Sequence, residues 1–509
     1  MSTRSSSFHT LLSLDPEALA IDDLTRAFSW AELDHRVARL RGLFEALGLG
    51  PGSHAAMLMG NRAEFVELVL AALSSGVWLT PVSAHATADE IAYVLRDSGA
   101  SVVFVDPEFA AVLGASNASC TVIEVGEAFD NELETHRAIP MDAAGEPGAT
   151  MVYTSGTTGR PKGVRRSRQP DLVTQLDASR RAGRVLGLDG RGPHLVTGPL
   201  YHAAPLGFAV MDLLNGAPMI VMPRFDESRT LRLIDDRRVR NTHLVPTMFV
   251  RLLRLPAAER EAFDPVALTT VLHGAAPISP SVKQSMIDWW GPVLVEYWGA
   301  SEGGVVTLVS SQEWLDRPGT VGRPIANHQV FVTDEHGHEL GPDADGLLWC
   351  QNTSVAEVFG YHNDPDKTAR AFRGPGTYTI GDIGRVDSDG YVYLADRQSN
   401  MIISGGVNIY PAEVEAVLLE HPAVGDAAVF GIPDDEWGES VRAAVELRSP
   451  SGDSAVLETE LIAFVRERIP PFKAPRSIEF HERLPRAPTG KLATRLLREP
   501  HWRDRSRRI

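Results

Sequence analysis

Short apolar runs alternate with segments of helical periodicity along most of this chain. Each run spans roughly four residues, is rich in β-branched side chains and is bounded by glycine or proline, a pattern typical of buried strands. Helical segments between the runs favour right-handed strand–helix–strand units, so the pattern predicts an α/β fold. The predicted strands are residues 77–80, 101–105, 195–197, 219–222, 243–245, 270–272 and 293–295, and the predicted helices include 62–75 and 231–237.

Polar or glycine-rich turns follow four of these predicted strands. In open α/β sheets, ligands bind in the crevice at the carboxyl ends of the strands. The pattern therefore predicts one pocket assembled from four loops. The turns are Tyr201-His202, Pro246-Thr247, His273-Gly274-Ala275-Ala276-Pro277 and Tyr297-Trp298-Gly299.

The pattern changes after Asp396-Arg397, where a compact α+β unit of the size of a small domain begins. We expect a large multi-sheet N-terminal domain over residues 1–397 and a smaller C-terminal domain over residues 398–509. The predicted elements of the smaller domain are helices at 411–420 and 457–469 and strands at 427–430 and 441–447.

Composition narrows the class of protein without identifying it. At 509 residues the chain is too long for a single core. Its 49 basic and 66 acidic residues give a net charge of −17, which disfavours nucleic-acid binding but permits small anionic substrates. Cys120 and Cys350 stand far apart, which argues against a disulfide framework or a zinc site. With no signal-peptide or membrane-spanning pattern, we expect a cytoplasmic monomer or homodimer.

A loop rich in glycine and hydroxyl groups carries the clearest chemistry. Its glycines let successive backbone N–H groups converge on an oxyanion, and Arg160 and Lys162 add positive charge. The loop differs from a Walker A motif because Pro161 precedes the lysine and Gly163 follows it. The segment is therefore predicted to hold a polyphosphate. Its candidate phosphate-binding residues, which the resemblance described next assigns to ATP, are Thr154, Ser155, Gly156, Thr157, Thr158, Gly159 and Lys162.

Further motifs occur in the order found in the adenylate-forming superfamily, which includes acyl-CoA synthetases, peptide-synthetase adenylation domains and luciferases. The segment from Thr154 to Gly163 resembles the phosphate loop of that superfamily, and the collinear matches cover roughly residues 150–491. The chain most resembles bacterial AMP-forming acyl-CoA synthetases. The other matching motifs are Tyr201-His202-Ala203-Ala204-Pro205, Gly274-Ala275-Ala276-Pro277, Trp298-Gly299-Ala300-Ser301-Glu302, Ile380-Gly381-Asp382, Ala395-Asp396-Arg397, Ser404-Gly405-Gly406-Val407-Asn408-Ile409 and Pro488-Thr489-Gly490-Lys491.

The resemblance implies ATP-dependent activation of a carboxylic acid. The acid becomes an acyl-AMP with release of pyrophosphate, and the acyl group then passes to CoA. Because two anions must approach each other, positioning and electrostatic stabilisation should dominate catalysis. Lys491 is expected to bridge the carboxylate and the α-phosphate, and Glu302 to ligate Mg²⁺ with help from Thr154 or Ser301. His202 is a further catalytic candidate.

The resemblance also implies which residues form the binding sites of a large adenylation domain and a small mobile one. Asp382 is expected to accept hydrogen bonds from the ribose, and Trp298 to offer a flat face to adenine. The CoA channel is expected to comprise Gly405 and Gly406. The expected acyl pocket comprises Tyr201, His202, Ala203, Gly274 and Gly299. The expected ATP-binding residues outside the phosphate loop are Gly274, Ala275, Ala276, Trp298, Gly299, Ala300, Asp382, Arg397 and Lys491.

Three positions depart from the common family pattern. Trp298 and Ser301 keep the ring and hydroxyl that the chemistry needs, whereas Ser399 stands at the hinge where Asp or Lys is usual. The final acceptor could therefore also be an amine, a carrier-protein thiol or nitrite. The acid could be a medium or long acyl chain, as in fatty acid metabolism, an aryl acid or a steroid-like acid.

An α/β-hydrolase is an alternative from a different class. Residues 299–303 match the G-x-S-x-G pattern of a nucleophile elbow. However, an elbow must open into a helix, and residues 304–309 have the pattern of a strand. The hydrolase interpretation also leaves the loop ending at Gly163 and Lys491 unexplained.

Overall fold

The computed structural model describes residues 5–154, 161–397, 400–405, 407–434, 436–449, 454–486 and 492–503. It confirms the predicted α/β class, and its residues form two compact units. The boundary predicted between residues 397 and 398 stays a prediction, because residues 398 and 399 lie outside the described part of the chain. The first unit comprises Met1–Ala275, Met286–Val305 and Val355–Gly376, and the second comprises Ala276–Ser285, Val306–Ser354 and Thr377–Ile509.

A mainly parallel sheet forms the centre of the first unit. Asn241–Leu244 and Thr270–His273 are buried at every residue, as expected of strands that are covered on both faces. Because neighbouring strands run parallel, their carboxyl ends meet at one edge, as the four-loop hypothesis requires. Within this unit, the neighbouring strands of the sheet are, in spatial order, Leu294–Ala300, Thr270–His273, Asn241–Leu244, His194–Val196, Met219–Val221, Leu19–Asp22 and the antiparallel Ala27–Ser29.

Two further sheets complete the larger part of the first unit. A parallel sheet has the order Thr121–Glu124, Val102–Val105, His54–Leu58, Trp78–Pro81 and Ala149–Thr150, and an antiparallel sheet has the order Val152–Thr154, Lys162–Arg166 and Phe359–Tyr361. Ser5–Ser6 pairs with Met141–Asp142, and Phe372–Gly374 is a further strand. The helices of this unit are Phe8–Leu12, Trp30–Ala46, Ala63–Ser75, Ala88–Ser98, Pro107–Phe109, Ala110–Ala115, Phe129–Thr135, Leu172–Val185, Ala203–Asn215, Glu227–Asp236, Pro246–Leu253, Ala257–Ala262, Pro265–Ala267 and Pro365–Ala371.

The second unit contains two mainly antiparallel sheets and several helices. One sheet has the order Thr377–Tyr378, Gly346–Asn352, Asp382–Val386 and Val392–Arg397, with His328–Thr333 on Gly346–Asn352. The other has the order Val407–Ile409, Ile402–Ser404, Gly438–Leu447 and Val424–Asp434, with Ser477–His481 parallel to Gly438–Leu447. Arg323–Pro324 is a further short strand of this unit. The helix Pro280–Trp290 and the strand Gly304–Ser310 contribute residues to both units. The other helices of the second unit are Ser311–Asp316, Pro411–Glu420, Ser454–Arg466, Pro471–Lys473 and Thr494–Trp502.

The predicted elements agree with these bounds to within a few residues. The helix predicted at 411–420 is observed as Pro411–Glu420, and the helix predicted at 62–75 begins one residue later and ends at Gly76 in the left-handed conformation. The strand predicted at 293–295 extends to Ala300, and the one predicted at 427–430 spans Val424–Asp434. Within the described residues, no helix combines the length and the apolarity needed to cross a bilayer.

A buried ion pair joins two helices of the first unit. Arg36 on Trp30–Ala46 donates from Nε to Oε1 of Glu67 on Ala63–Ser75 over 2.7 Å. The Glu67 side chain is fully buried, and burial raises the pKa of its carboxyl although Arg36 lies beside it. Arg36 Nη2 also lies 2.8 Å from Oδ1 of Asp130, which forms a second ion pair with the same guanidinium. The arginine therefore compensates a carboxylate that has no access to water.

Arg36→Ala is expected to lower the free energy of unfolding by about 3 kcal/mol, because it leaves Glu67 buried without its counter-charge. Urea unfolding monitored by fluorescence measures the change. The matched control is Arg137→Ala, which breaks the exposed pair with Glu45 and should cost less than about 1 kcal/mol. Equal losses in the two variants would contradict the role of the buried pair.

Candidate active site

The two ends of the phosphate loop are neighbours across an antiparallel ladder. Thr154 is paired in register with Lys162, and Val164 on the same strand is paired with Tyr361. The hairpin therefore holds the first hydroxyl of the loop and its lysine side by side. The remaining predicted loop residues, Ser155, Gly156, Thr157, Thr158, Gly159 and Arg160, lie outside the described residues.

An ion pair engages the lysine at the end of this loop. Lys162 Nζ lies 3.1 Å from Asp364 Oδ2, and this hydrogen bond raises the pKa of Lys162. Asp364 also caps the helix Pro365–Ala371 by accepting the backbone N–H of Lys367 at 3.0 Å. The backbone bond, followed by the bond from Lys162, lowers the pKa of Asp364. The lysine is thus held as a cation beside a fixed carboxylate.

A tyrosine orients the predicted magnesium ligand. The hydroxyl of Tyr361 donates to Oε1 of Glu302 at 3.0 Å. Lys367 Nζ lies 4.0 Å from the centre of the Tyr361 ring; burial lowers the pKa of Lys367, while the charge of Glu302 opposes that change. Residues 162, 302 and 361–367 therefore form one charged cluster around the hairpin.

The sequence interpretation missed three members of this cluster, namely Tyr361, Asp364 and Lys367. A local signal was available, because Asp364 followed by Pro365 is a helix start with an N-cap and a proline at the first helical position. That signal predicts the helix but not its neighbourhood. The contact with Glu302 spans 59 residues of sequence and arises only from strand pairing.

The segment containing the predicted residues 298–302 is a strand followed by a tight turn. Trp298, Gly299 and Ala300 end the strand Leu294–Ala300, and Ser301 begins the turn. A side chain at Gly299 would overlap the carbonyl oxygen of Gly304, so the close approach of the chain on the two sides of the turn requires glycine there. The chain then enters the strand Gly304–Ser310, which rules out a nucleophile elbow. Trp298 is buried, with 4% of its surface exposed.

The predicted acyl-pocket residues Tyr201, His202 and Ala203 stand at the start of the helix Ala203–Asn215. The rings of Tyr201 and His202 lie 4.3 Å apart. Among the described residues, Nε2 of His202 is buried without a hydrogen-bond partner. Burial and the nearby His85 lower the pKa of His202 to about 4, so the imidazole is neutral at physiological pH. It can exchange a hydrogen bond with a ligand but offers no charge.

Gly274 and Ala275 form a constrained turn directly after the strand Thr270–His273. A Cβ on Gly274 would lie 2.6 Å from the carbonyl oxygen of Tyr297 and 2.9 Å from its ring. Ala275 adopts φ 64°, a left-handed conformation that is uncommon for alanine. The third predicted residue, Ala276, is the first residue of the second unit.

Three rings form a buried wall behind this turn, which we call the aromatic wall: Phe208, His243 and Tyr297. The Phe208 ring packs edge-on against Tyr297 at 5.1 Å and lies 5.3 Å from His243. His243 Nε2 and the Tyr297 hydroxyl are joined at 3.1 Å. Burial lowers the pKa of His243 to about 3 and raises the pKa of Tyr297, so both groups are neutral. The wall is apolar apart from this one polar pair.

The remaining predicted residues belong to the second unit. Asp382 is 6% exposed and is paired in register with Arg397, so the expected ribose-binding residues are cross-strand neighbours; the side chain of Arg397 lies outside the description. Gly405 has φ 58°, and a Cβ there would overlap the Trp437 ring. Three other predicted residues, Gly406, Ser399 and Lys491, lie outside the described residues.

Comparison with known proteins agrees with this geometry. A model of the AMP-binding enzyme family matches residues 12–361, and a model of the C-terminal domain of AMP-binding enzymes matches residues 413–491. The first match contains both strands of the hairpin, Glu302 and Tyr361, and the second contains the strands Val424–Asp434, Gly438–Leu447 and Ser477–His481. They confirm the predicted resemblance to adenylate-forming enzymes.

Similar proteins share this organisation over nearly their whole length. A medium/long-chain-fatty-acid–CoA ligase of Mycobacterium tuberculosis, FadD8, is 32% identical over 503 residues, covering 94% of this chain and 86% of the relative. A feruloyl-CoA synthase of an Amycolatopsis species is 33% identical over 487 residues, covering 94% and 95%. The solved structure of ATP-bound MatB from Rhodopseudomonas palustris has a TM-score of 0.85 at 28% identity, covering 97% and 98%. The prediction of an AMP-forming acid–thiol ligase is confirmed, and the chain belongs to the AMP-binding enzyme family.

Proposed function

We propose that this enzyme joins ATP to an aryl carboxylic acid, releases pyrophosphate, and transfers the acyl group from AMP to CoA. The observation that carries the proposal is the pairing of Thr154 with Lys162 beside the Tyr361–Glu302 hydrogen bond. This arrangement places a cation, a hydroxyl and an oriented carboxylate around one loop. Those are the groups that hold a polyphosphate and its metal ion.

Glu302 and Thr154 fit a magnesium site that is shared with the nucleotide. Among the described residues, no group of three or more histidine, cysteine or acidic side chains forms a protein-only metal cage. Magnesium prefers hard oxygen ligands and commonly takes most of them from phosphates and water. A carboxylate fixed by Tyr361 and a neighbouring hydroxyl supply the oxygen types required. The bound ion would neutralise charge that builds on the phosphates.

The neutral state of His202 suits the approach of a carboxylate substrate. A charged imidazole would pair with the acid before reaction and lower its nucleophilicity, whereas a neutral one orients it by a hydrogen bond. The cation that joins the acid to the α-phosphate is then Lys491, as the resemblance implies. Because attack on phosphorus forms the acyl–phosphate bond as the bond to pyrophosphate breaks, a fixed positive charge at this point stabilises the transition state.

CoA is favoured as the acceptor by the backbone at Gly405. Its positive φ and the adjacent Trp437 ring leave no room for a side chain, so only glycine fits at this point of the predicted CoA channel. The similar FadD8 and feruloyl-CoA synthase are both CoA ligases by name. An amine, carrier-protein or nitrite acceptor would appear as AMP formation without a CoA thioester. A cytoplasmic location and a monomeric or homodimeric state stay predictions.

An aryl acid is favoured by the aromatic wall. Phe208 lies on the helix that begins at Ala203, and the Tyr297 ring packs on Gly274, so the wall adjoins two predicted pocket residues. In the proposed pocket, such a wall would limit the length of an alkyl chain and would offer ring edges to a planar substrate. The His243–Tyr297 pair can hydrogen-bond a polar ring substituent. Pyrophosphate release measured with ATP and a panel of acids tests this class; release with long alkyl acids alone would reject it.

Lys491→Ala is expected to reduce acyl-adenylate formation by about a thousandfold, because the charge that bridges the two anions is lost. Thioester formation from supplied acyl adenylate and CoA should remain within a factor of about two. Pyrophosphate release measures the first half-reaction, and thioester absorbance measures the second.

Gly405→Leu is the matched control, because its side chain would meet Trp437 and the thiol arm rather than the nucleotide. It should slow the second half-reaction and spare the first. If Lys491→Ala lowers both half-reactions by the same factor, the role given to this lysine is wrong.

Tyr361→Phe is expected to raise the KM for magnesium–ATP and to lower the adenylation rate by about fivefold, because Glu302 loses the hydrogen bond that orients it. Kinetics over a range of magnesium concentrations measure the effect, which should diminish at high magnesium. Tyr393→Phe, in the second unit, is the control. An unchanged magnesium dependence in Tyr361→Phe would separate this tyrosine from the metal site.

Tyr297→Ala is expected to extend the accepted acids toward longer chains by removing one side of the aromatic wall. The ratio of kcat/KM for a long acid to that for an aryl acid should rise by about tenfold or more. Tyr297→Phe is the matched variant, because it keeps the ring and loses only the bond to His243. It should leave the length limit unchanged. The same length profile in folded Tyr297→Ala and wild-type protein would remove Tyr297 from the pocket.

A further inference from the structure

An ion pair stands immediately before the segment that contains Lys491. Arg486 donates from Nε to Oδ2 of Asp426 at 2.7 Å and from Nη2 to Oδ1 at 2.5 Å. Two parallel bonds of this kind fix the direction of a guanidinium as well as its distance. Asp426 belongs to the strand Val424–Asp434, at a point where the ladder shifts register. The side chain of Arg486 is thereby tied to the sheet of the second unit.

Backbone contacts bring the residues on both sides of this segment together. Arg486 and Leu492 form an isolated antiparallel bridge, and the N–H of Ala493 donates to the carbonyl of Pro485 at 2.8 Å. The N–H of Leu484 donates to Oε2 of Glu446 at 3.1 Å. Residues 487–491 therefore connect two positions that are held next to each other.

Hydrophobic contacts attach both sides to the same strand. Leu484 and Leu497 are buried in a cluster with Phe430, and Leu492 packs against that cluster. Glu415, a partly exposed acid nearby, has its pKa raised to about 8 by desolvation, so it is mostly uncharged at neutral pH. Asp426 is consequently the anion that balances Arg486.

We propose that Arg486 and Asp426, which fix the chain on the N-terminal side of Lys491, are positioning residues for this lysine in acyl-adenylate formation. The inference rests on the proposed role of Lys491. When the residues on either side of a catalytic lysine are fixed, less entropy is lost as that lysine meets its two anions. The pair would then act on the first half-reaction only, because the second does not use Lys491.

The same pair is expected to contribute little to global stability. The Arg486 and Asp426 side chains are 31% and 17% exposed, and ion pairs with access to water add little to the free energy of unfolding. Breaking the Arg486–Asp426 ion pair should therefore leave a folded protein. This separates a positioning role from a structural one.

The test compares Arg486→Gln and Asp426→Asn in the full-length enzyme. Each variant should lower the rate of pyrophosphate release without CoA by about 10- to 100-fold, the scale expected for a misplaced catalytic group. Thioester formation from supplied acyl adenylate and CoA should stay within a factor of about two, and the urea unfolding midpoint should be unchanged. In a Lys491→Ala background, Arg486→Gln should cause no further loss of adenylation.

Arg442→Gln is the matched control. It breaks the ion pair between Arg442 and Glu479, whose nitrogen–oxygen distances are 3.1 and 3.2 Å. The two side chains are 25% and 23% exposed, and the pair lies in the same unit without flanking Lys491. Both half-reactions should be unaffected. If Arg486→Gln lowers both half-reactions equally, or leaves the adenylation rate undiminished, the positioning role of the Arg486–Asp426 pair is wrong. Undiminished adenylation in Lys491→Ala alone would instead overturn the proposed role of the lysine.

Discussion

The antiparallel pairing of Thr154 with Lys162 is the constraint on which the candidate site depends. A phosphate loop can wrap a nucleotide only if its two ends are fixed, since otherwise the entropy lost on closing the loop reduces the binding free energy. The hairpin fixes these ends before any ligand arrives. Its third strand, Phe359–Tyr361, adds the hydroxyl that orients Glu302, so one small sheet positions groups that are distant in sequence.

The site separates its permanent charges from its neutral polar groups. Lys162 and Asp364 are paired ions, whereas burial keeps His202 and His243 uncharged at neutral pH. Charged groups of both signs are therefore concentrated near the phosphate loop, and the predicted acyl pocket presents hydrogen-bonding groups without charge. Such a division matches a reaction between a triphosphate and an acid whose remaining part is apolar.

The sequence predicts the strands that are covered on both faces, because continuous apolar runs identify them. The run at 270–272 differs from the observed Thr270–His273 by one residue, whereas the run at 293–295 stops short of Ala300 because the backbone pairing continues through Tyr297 and Trp298. Motif spacing predicts the family and many of the site residues. It does not predict the aromatic wall, whose rings come from one helix and two strands, nor the left-handed backbone of Ala275, which has no local sequence signal.

If Lys162 binds the phosphates of ATP, as proposed, its ion pair with Asp364 makes that carboxylate an internal competitor of the nucleotide. Before a ligand binds, Asp364 satisfies the lysine, and the capped helix Pro365–Ala371 keeps that carboxylate in place. A chloride or a single phosphate gains little by displacing it, whereas a triphosphate with its magnesium ion can contribute several contacts at once. In the proposed role of Lys162, the pair would act as a threshold that favours polyvalent anions, and part of the binding free energy of ATP would be used to release the lysine.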